Sequence, residues 1–348
     1  MQRLPRLGEQ FSPEVGTTTT RVATSALLAL DSEDRFANYE VQNAIQVGDP
    51  NWSPYDFTIT KNGNLMSGFF TRLAVSEIVF PVCIPNIHFK CNKILVNYGP
   101  TIALGTTVDI TLTPTFYTPE SLAAQLTILL QTIPTLGAAV VEYGISGRPE
   151  FSYNSGAVGA FMSFSPMPYN SAAYPFPNTT RQLFNVLGFN SAIIANPINN
   201  AATAYWTEAI GVNYYATGGS SFAQSCRYFD FVSNQLTYNQ ALKDATSQTI
   251  TRDVLCRVYL GAFDNKAEVV CNDPTLVPPQ SLFVPVGCAP STIYRNFAVP
   301  KQIQWNPTQN VGQIQITVFD DEGSPLQELL PAELTPLNWS MTLLVSEN

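Results

Sequence analysis

The chain has 348 residues, 45% of them hydrophobic and 12% charged, with a formal net charge of −9. That length holds one large domain or two ordinary ones with ample core, and the acidic balance argues against non-specific affinity for nucleic acid. Soluble domains are about 25% charged, so a surface this poor in ions points away from a free enzyme and towards an assembly component covered by other protein.

Residues 1–22 show no hydrophobic periodicity. They carry Arg3, Arg6 and Arg21, offset by Glu9 and Glu14, and a run from Thr17 to Thr20, the pattern of an extended protein-binding arm. Met1–Arg6 leads into Gly8 and Glu9 rather than an apolar run, so no signal peptide is expected. A short apolar segment, Ser25–Leu30, is then stopped by the charged turn Asp31, Glu33, Asp34, Arg35, read as solvated or as a salt-bridged interface edge.

Strand signals follow at Tyr55–Ile59, Leu73–Phe80, Lys93–Tyr98 and Val108–Leu112. In each, β-branched and aromatic residues recur at period two between Gly, Pro and Asn. One helix is predicted after Thr118, which can cap it, with Pro119 at the first helical position and Glu120 complementing the dipole. Leu122, Leu126, Leu129, Leu130 and Ile133 share a face before Pro134 stops it. The uncharged run Ser121–Val141 is long enough for a membrane span, but Gln125, Gln131, Pro134 and Gly137 favour a core-packed amphipathic helix.

Residues 151–226 hold just two charged side chains, Arg181 and Glu208. Pro, Asn, Ser, Tyr and Gly break up its apolar runs, which excludes a membrane helix. Possible strands lie at Ala139–Tyr143, Glu150–Tyr153 and Ala160–Ser165, then at Arg227–Val232 and Val254–Leu260, with a short helix expected over Tyr238–Thr246. Near the end Ile314, Ile316 and Val318 alternate with Gln313, Gln315 and Thr317; Asp320–Pro325 makes a turn, and Trp339–Val345 is a final strand. Many short strands with few helices indicate a mainly β protein, a sandwich or jelly roll, and not a βαβ fold.

No residue is assigned a catalytic, cofactor-binding or metal-binding role, and no cofactor is expected. His88 is the sole histidine, so any His-dependent mechanism must use it, yet with neighbouring Cys91 it lies in a connecting loop between strand signals. Cys83, Cys91, Cys226, Cys256, Cys271 and Cys288 have irregular spacing, which suits reduced thiols better than a disulfide framework or a zinc site. The sequons at Asn51, Asn178 and Asn338 are read as chance. Asp320, Asp321 and Glu322 could bind a divalent cation, but with Gly323 and Pro325 they have the chemistry of an exposed turn. The 40 aromatics (21 Phe, 15 Tyr, 4 Trp) could stack on sugars, and a carboxylate pair could hydrolyse them; their spread over every strand is that of core residues.

Two stretches carry a family resemblance. The first comprises Ala26–Arg35, Tyr55–Ile59, Phe70–Pro81 and Phe116–Leu126; the second comprises Ile303–Asn306, Gly312–Gly323 and Asn338–Val345. Together they resemble the penton and minor capsid proteins of double-stranded DNA viruses of the adenovirus, virophage, Polinton-like and giant-virus lineage. The resemblance implies a single upright jelly roll, five copies of which close an icosahedral vertex, and no enzymatic activity. It implies a homo-pentamer in the virion capsid, meeting neighbouring major capsid (hexon) capsomers and minor capsid proteins, with no nucleic acid and no membrane span. On this reading residues 1–22 are an extended arm, 23–115 and 227–348 form the jelly roll, and 116–226 are an elaborated, weakly charged insertion. The alternatives are a hexon-like double jelly roll or non-vertex minor capsid protein and, in a different class, a carbohydrate-binding or carbohydrate-active β-sandwich.

Overall fold

The computed structural model describes residues 25–36, 52–60, 70–100, 104–144, 151–156, 161–176, 181–189, 214–215, 226–238, 244–245, 251–260, 268–273, 280–284, 291–305, 311–330 and 337–347. The proposed arm, 1–22, lies outside them, as does Glu208.

The chain opens with β1 (Ser25–Asp31), β2 (Asp56–Thr60) and β3 (Arg72–Val82). Then come β4 (Lys93–Gly99), β5 (Thr106–Thr111), helix α1 (Pro119–Gln131), β6 (Val140–Tyr143), β7 (Phe151–Asn154), β8 (Phe161–Ser165), α2 (Leu183–Val186) and β9 (Tyr214–Tyr215). The remainder is β10 (Tyr228–Val232), β11 (Asp244–Ala245), β12 (Thr251–Arg252), β13 (Val254–Tyr259), β14 (Glu268–Asp273), β15 (Gln280–Val284), β16 (Ser291–Asn296), β17 (Ile303–Gln304), β18 (Gln313–Phe319) and β19 (Ser340–Ser346).

Two sheets run β1-β19-β3-β16, with β17 also on β3, and β13-β10-β18-β2. Taken in chain order, their eight main strands pair first with last (β1 with β19), second with seventh (β2 with β18), third with sixth (β3 with β16) and fourth with fifth (β10 with β13), all antiparallel. A long antiparallel ribbon rolled over on itself in this way is a jelly roll. The fold class read from the sequence is therefore the observed one.

Period-two alternation places the inner faces together. Phe57 and Ile59 of β2, Leu73, Val75, Ile78 and Phe80 of β3, Phe229 and Phe231 of β10, Ile314, Ile316 and Val318 of β18, and Met341 and Leu343 of β19 form one buried core. Phe80 is its hub, with ring centroids 5.2 Å from Phe229, 5.3 Å from Phe231, 5.8 Å from Tyr55 and 6.2 Å from Trp339. The Trp339 indole N–H donates to Pro54 O at 2.5 Å, which satisfies its one polar atom inside the core.

The insertion between β3 and β10 has a separate core built from Ile94, Val96, Ile110, Leu122, Leu126, Leu130, Phe151, Tyr153, Phe164, Phe184 and Phe189, among others. Its sheets are β5-β4-β8 and β6-β7-β9. α1 begins as expected: Thr118 Oγ1 accepts from Ser121 N at 3.2 Å, and Ser121 Oγ accepts from Thr118 N at 2.8 Å, a reciprocal cap. Leu122, Leu126 and Leu130 are its buried face, and Thr127 Oγ1 accepts from Val141 N at 2.9 Å, which fixes the helix on β6.

Two expectations need correction. The strands at 93–98 and 108–112 exist, but β4 and β5 belong to the insertion and not to the jelly roll. β4 pairs with β8, and Ile94, Val96 and Ile110 enter the second core, so the chain leaves the jelly roll after β3 rather than at residue 115. Alternation reports a half-buried strand without saying which sheet buries it. The helix expected over Tyr238–Thr246 is contradicted at Asp244–Ala245, which pair with Thr251–Arg252 as strand; 239–243 and 246 lie outside the described residues. The sequence reading also missed β14, β15 and β16, the last of which completes the first sheet.

Candidate functional site at the joint between insertion and jelly roll

β18 ends at Phe319, and the chain reverses through Asp320–Ser324. Ser324 N donates to Asp320 Oδ1 at 2.6 Å, Asp320 N to Ser324 O at 2.9 Å and Gly323 N to Asp320 O at 3.1 Å. Gly323 has φ +91°, a left-handed conformation open to glycine at no steric cost. This is the turn the sequence predicts, but it is not exposed. Asp320 and Asp321 are buried, and Glu322 nearly so.

Three cations from three segments meet these carboxylates. Lys90, in the loop between β3 and β4, places Nζ 2.7 Å from Asp320 Oδ2 and 3.7 Å from Glu322 Oε2. The Lys90 and Asp320 side chains are 2% and 1% exposed. Arg181, just before α2, donates through Nη2 to Asp321 Oδ2 and places Nε 3.7 Å from Glu322 Oε1. Arg227, at the return into β10, donates through Nε to Asp321 Oδ2 at 2.7 Å with its own side chain 63% exposed. Among the described residues, three positive and three negative side chains meet here, so the buried carboxylates are matched by cations. Arg181 is one of the two charged residues in the weakly charged stretch, and its partners lie in the jelly roll.

Neutral groups complete the joint. The Tyr174 hydroxyl donates to Lys90 O at 2.5 Å, the Cys226 thiol lies 3.5 Å from Asp321 Oδ1, and the Tyr228 hydroxyl lies 3.5 Å from Asp321 O. Burial raises the Asp320 pKa, against the opposing pull of Lys90 and the Ser324 amide. For Arg181, burial pulls down, but the surrounding Cys226, Asp321, Glu322 and Asp320 outweigh it and the net shift is upward.

His88 sits behind Lys90. Its Nδ1 accepts from Lys90 N at 3.3 Å, and the His88 backbone N–H donates to Cys91 Sγ at 3.2 Å. Burial, and then the Lys90 and Arg181 charges, lower its pKa to about 3. Burial pushes the Cys91 thiol up to about 12. A neutral, backbone-bonded imidazole beside a protonated thiol is the reverse of an activated Cys–His pair, so here the two residues shape a loop.

The other acidic cluster also differs from an open turn. Ser32–Phe36 is a short 3-10 helix in which Arg35 is buried and donates through Nη1 to Ser32 O and Asn338 Oδ1, each at 2.5 Å. Asp31 Oδ1 accepts from Glu33 N at 2.8 Å. Cys83, Cys91, Cys226 and Cys256 are free thiols. Among the described residues no group of three or more His, Cys, Asp or Glu is arranged to hold a metal ion, and no described helix is long and apolar enough to cross a membrane. A cleft of about 310 Å³ opens beside β13, lined by Val75, Leu255, Phe297, Val299, Arg257 and Lys301, among others. Arg257 is held there by a two-pronged pair to Asp230, at 2.6 and 2.9 Å.

Sequence reasoning found the turn and missed the cluster, because its partners lie far away along the chain. The one local signal was Arg181, a lone cation in an ion-poor stretch.

No protein-family model and no curated protein matches this chain. Among solved structures it is similar to the mavirus penton protein, seen in a crystal structure of its selenomethionine-labelled form, with a TM-score of 0.48 and 10% sequence identity over 93% of this chain and 100% of that one. The jelly-roll assignment rests on the strand order and register given above.

Proposed function

We propose that this chain is a viral capsid structural protein, without enzymatic activity, that forms homo-pentamers at icosahedral vertices and meets neighbouring major capsid capsomers there. The observation that carries the reading is the single jelly roll, interrupted after its third main strand by a large insertion with its own core. The sequence resemblance at both ends of the chain points the same way.

The outer face of the first sheet suits a subunit contact. Leu27 is 69% exposed and Tyr294 59%, with Val79 also open. The Glu77 carboxylate on this face accepts from the Thr342 hydroxyl at 2.9 Å and the Tyr294 hydroxyl at 3.1 Å. Interface cores are depleted of charge and enriched in aromatics, and a repeated rotational contact closes into a ring. The weakly charged residues 151–226 would contribute surface covered in the assembly.

Electron microscopy and sedimentation of the purified full chain test this: five-fold rings are expected, and their location at particle vertices follows. A stable monomer at micromolar concentration that is missing from vertices refutes it. Glycan binding lost on changing Tyr259 or Tyr294 would instead favour a carbohydrate-binding sandwich.

A further inference from the structure

We propose that the buried ion cluster is a proton-operated latch, which holds the insertion against the jelly roll near neutral pH and releases it in acid while both cores stay folded.

The two hydrophobic cores share no residue, so each half can keep its packing when the joint opens. The joint is divided by charge. Lys90 and Arg181 come from the insertion, Arg227 from the crossing back into β10, and all three carboxylates from the turn after β18. Every carboxylate that gains a proton leaves net positive charge beside side chains that are out of water. A buried charge that loses its partner is strongly destabilising, and the insertion's cations, no longer attracted by the turn, repel one another and regain solvation only by leaving the joint.

Among the described residues, the groups facing the carboxylates come from the insertion and from the return strand. On the insertion these are Lys90, His88, Cys91, Tyr174 and Arg181; on the return strand they are Cys226, Arg227 and Tyr228. Burial holds the Cys91 and Cys226 thiols and the Tyr174 phenol in their neutral forms, and His88 can only add positive charge as acid increases. Burial has already moved Asp320 towards easier protonation. The turn itself survives the change, because the Asp320 Oδ1 that accepts from Ser324 N is equally present in a neutral amide.

Hydrogen exchange of the full chain, corrected for intrinsic chemistry, reads the latch. Between pH 7.0 and pH 4.5, amides of residues 86–92, 226–228 and 320–324 are expected to exchange at least tenfold faster, while β3, β19 and α1 keep their protection. Asp320→Asn/Asp321→Asn should show the open pattern at pH 7.0. Lys90→Met/Asp320→Asn, which is neutral at that pair, should move the opening midpoint at least half a pH unit towards acid. Loss of protection at the joint and in both cores at a single pH overturns the proposal, as does a closed joint in Asp320→Asn/Asp321→Asn. If that variant does not fold, an unchanged midpoint in Lys90→Met/Asp320→Asn overturns it.

Discussion

Arg181→Met isolates the worth of the one described cation in the ion-poor stretch. Met keeps much of the aliphatic stem and removes the guanidinium, leaving Asp321 with Arg227 and Glu322 with Lys90 at 3.7 Å. Breaking a buried ion pair by removing one partner costs about 3–5 kcal/mol. Arg227 remains on Asp321 but is largely in solvent, so the lower end applies, about 3 kcal/mol. Asp321 has no exposed side-chain surface through which water could replace the lost donor. Urea unfolding followed by the fluorescence of Trp305 and Trp339, both buried in the jelly-roll core, in a background with the other two tryptophans replaced (Trp52→Phe/Trp206→Phe), measures the effect on that half; exchange protection of α1 measures the other. Arg181→Met/Asp321→Asn removes the stranded charge and should recover about 2 kcal/mol, since Arg227 loses little by returning to water. A single-variant deficit under about 1 kcal/mol, or a double variant no more stable than the single, would show that the cluster does not hold the halves together.

His88 makes stability depend on pH with a definite sign. Its folded pKa, about 3, lies below the ordinary histidine value of 6.5, so its contribution is complete above 6.5 and is lost as pH falls towards 3. At about 1.4 kcal/mol per pH unit the full loss is about 5 kcal/mol, and His88→Leu should flatten that part of a urea-midpoint profile. Phe80→Ala removes the hub of the aromatic core and should cost about 3–5 kcal/mol in jelly-roll stability, read by the same fluorescence; a loss under 1 kcal/mol would contradict its hub position. Gly156→Ala should destabilise the insertion by about 1–3 kcal/mol, because φ is +69° and a Cβ would fall 1.8 Å from Ala138 O. Exchange of α1 and β7 should rise while the tryptophan signal keeps its midpoint.

Local pattern was enough to find most elements. The 2.0 period marks β2, β3, β10, β13, β18 and β19 because a strand half-buried in a sheet must alternate, and the Thr118-Pro119 start marks α1 because a helix must satisfy its first amides. These are demands a short segment places on itself. The allegiance of β4 and β5 is of another kind: Ile94 and Val96 look the same whether buried by β19 or by β8, and the choice depends on which partners the chain brings back. The Asp320–Glu322 turn is the sharper case. Its Asp, Gly, Ser and Pro specify a reversal, and a reversal is ordinarily solvated. Lys90 lies 230 positions from Asp320, and Arg181 lies 140 from Asp321. Three acids in a row read as surface until the folded chain supplies three bases, since a charge leaves water only where its counter-charge already waits.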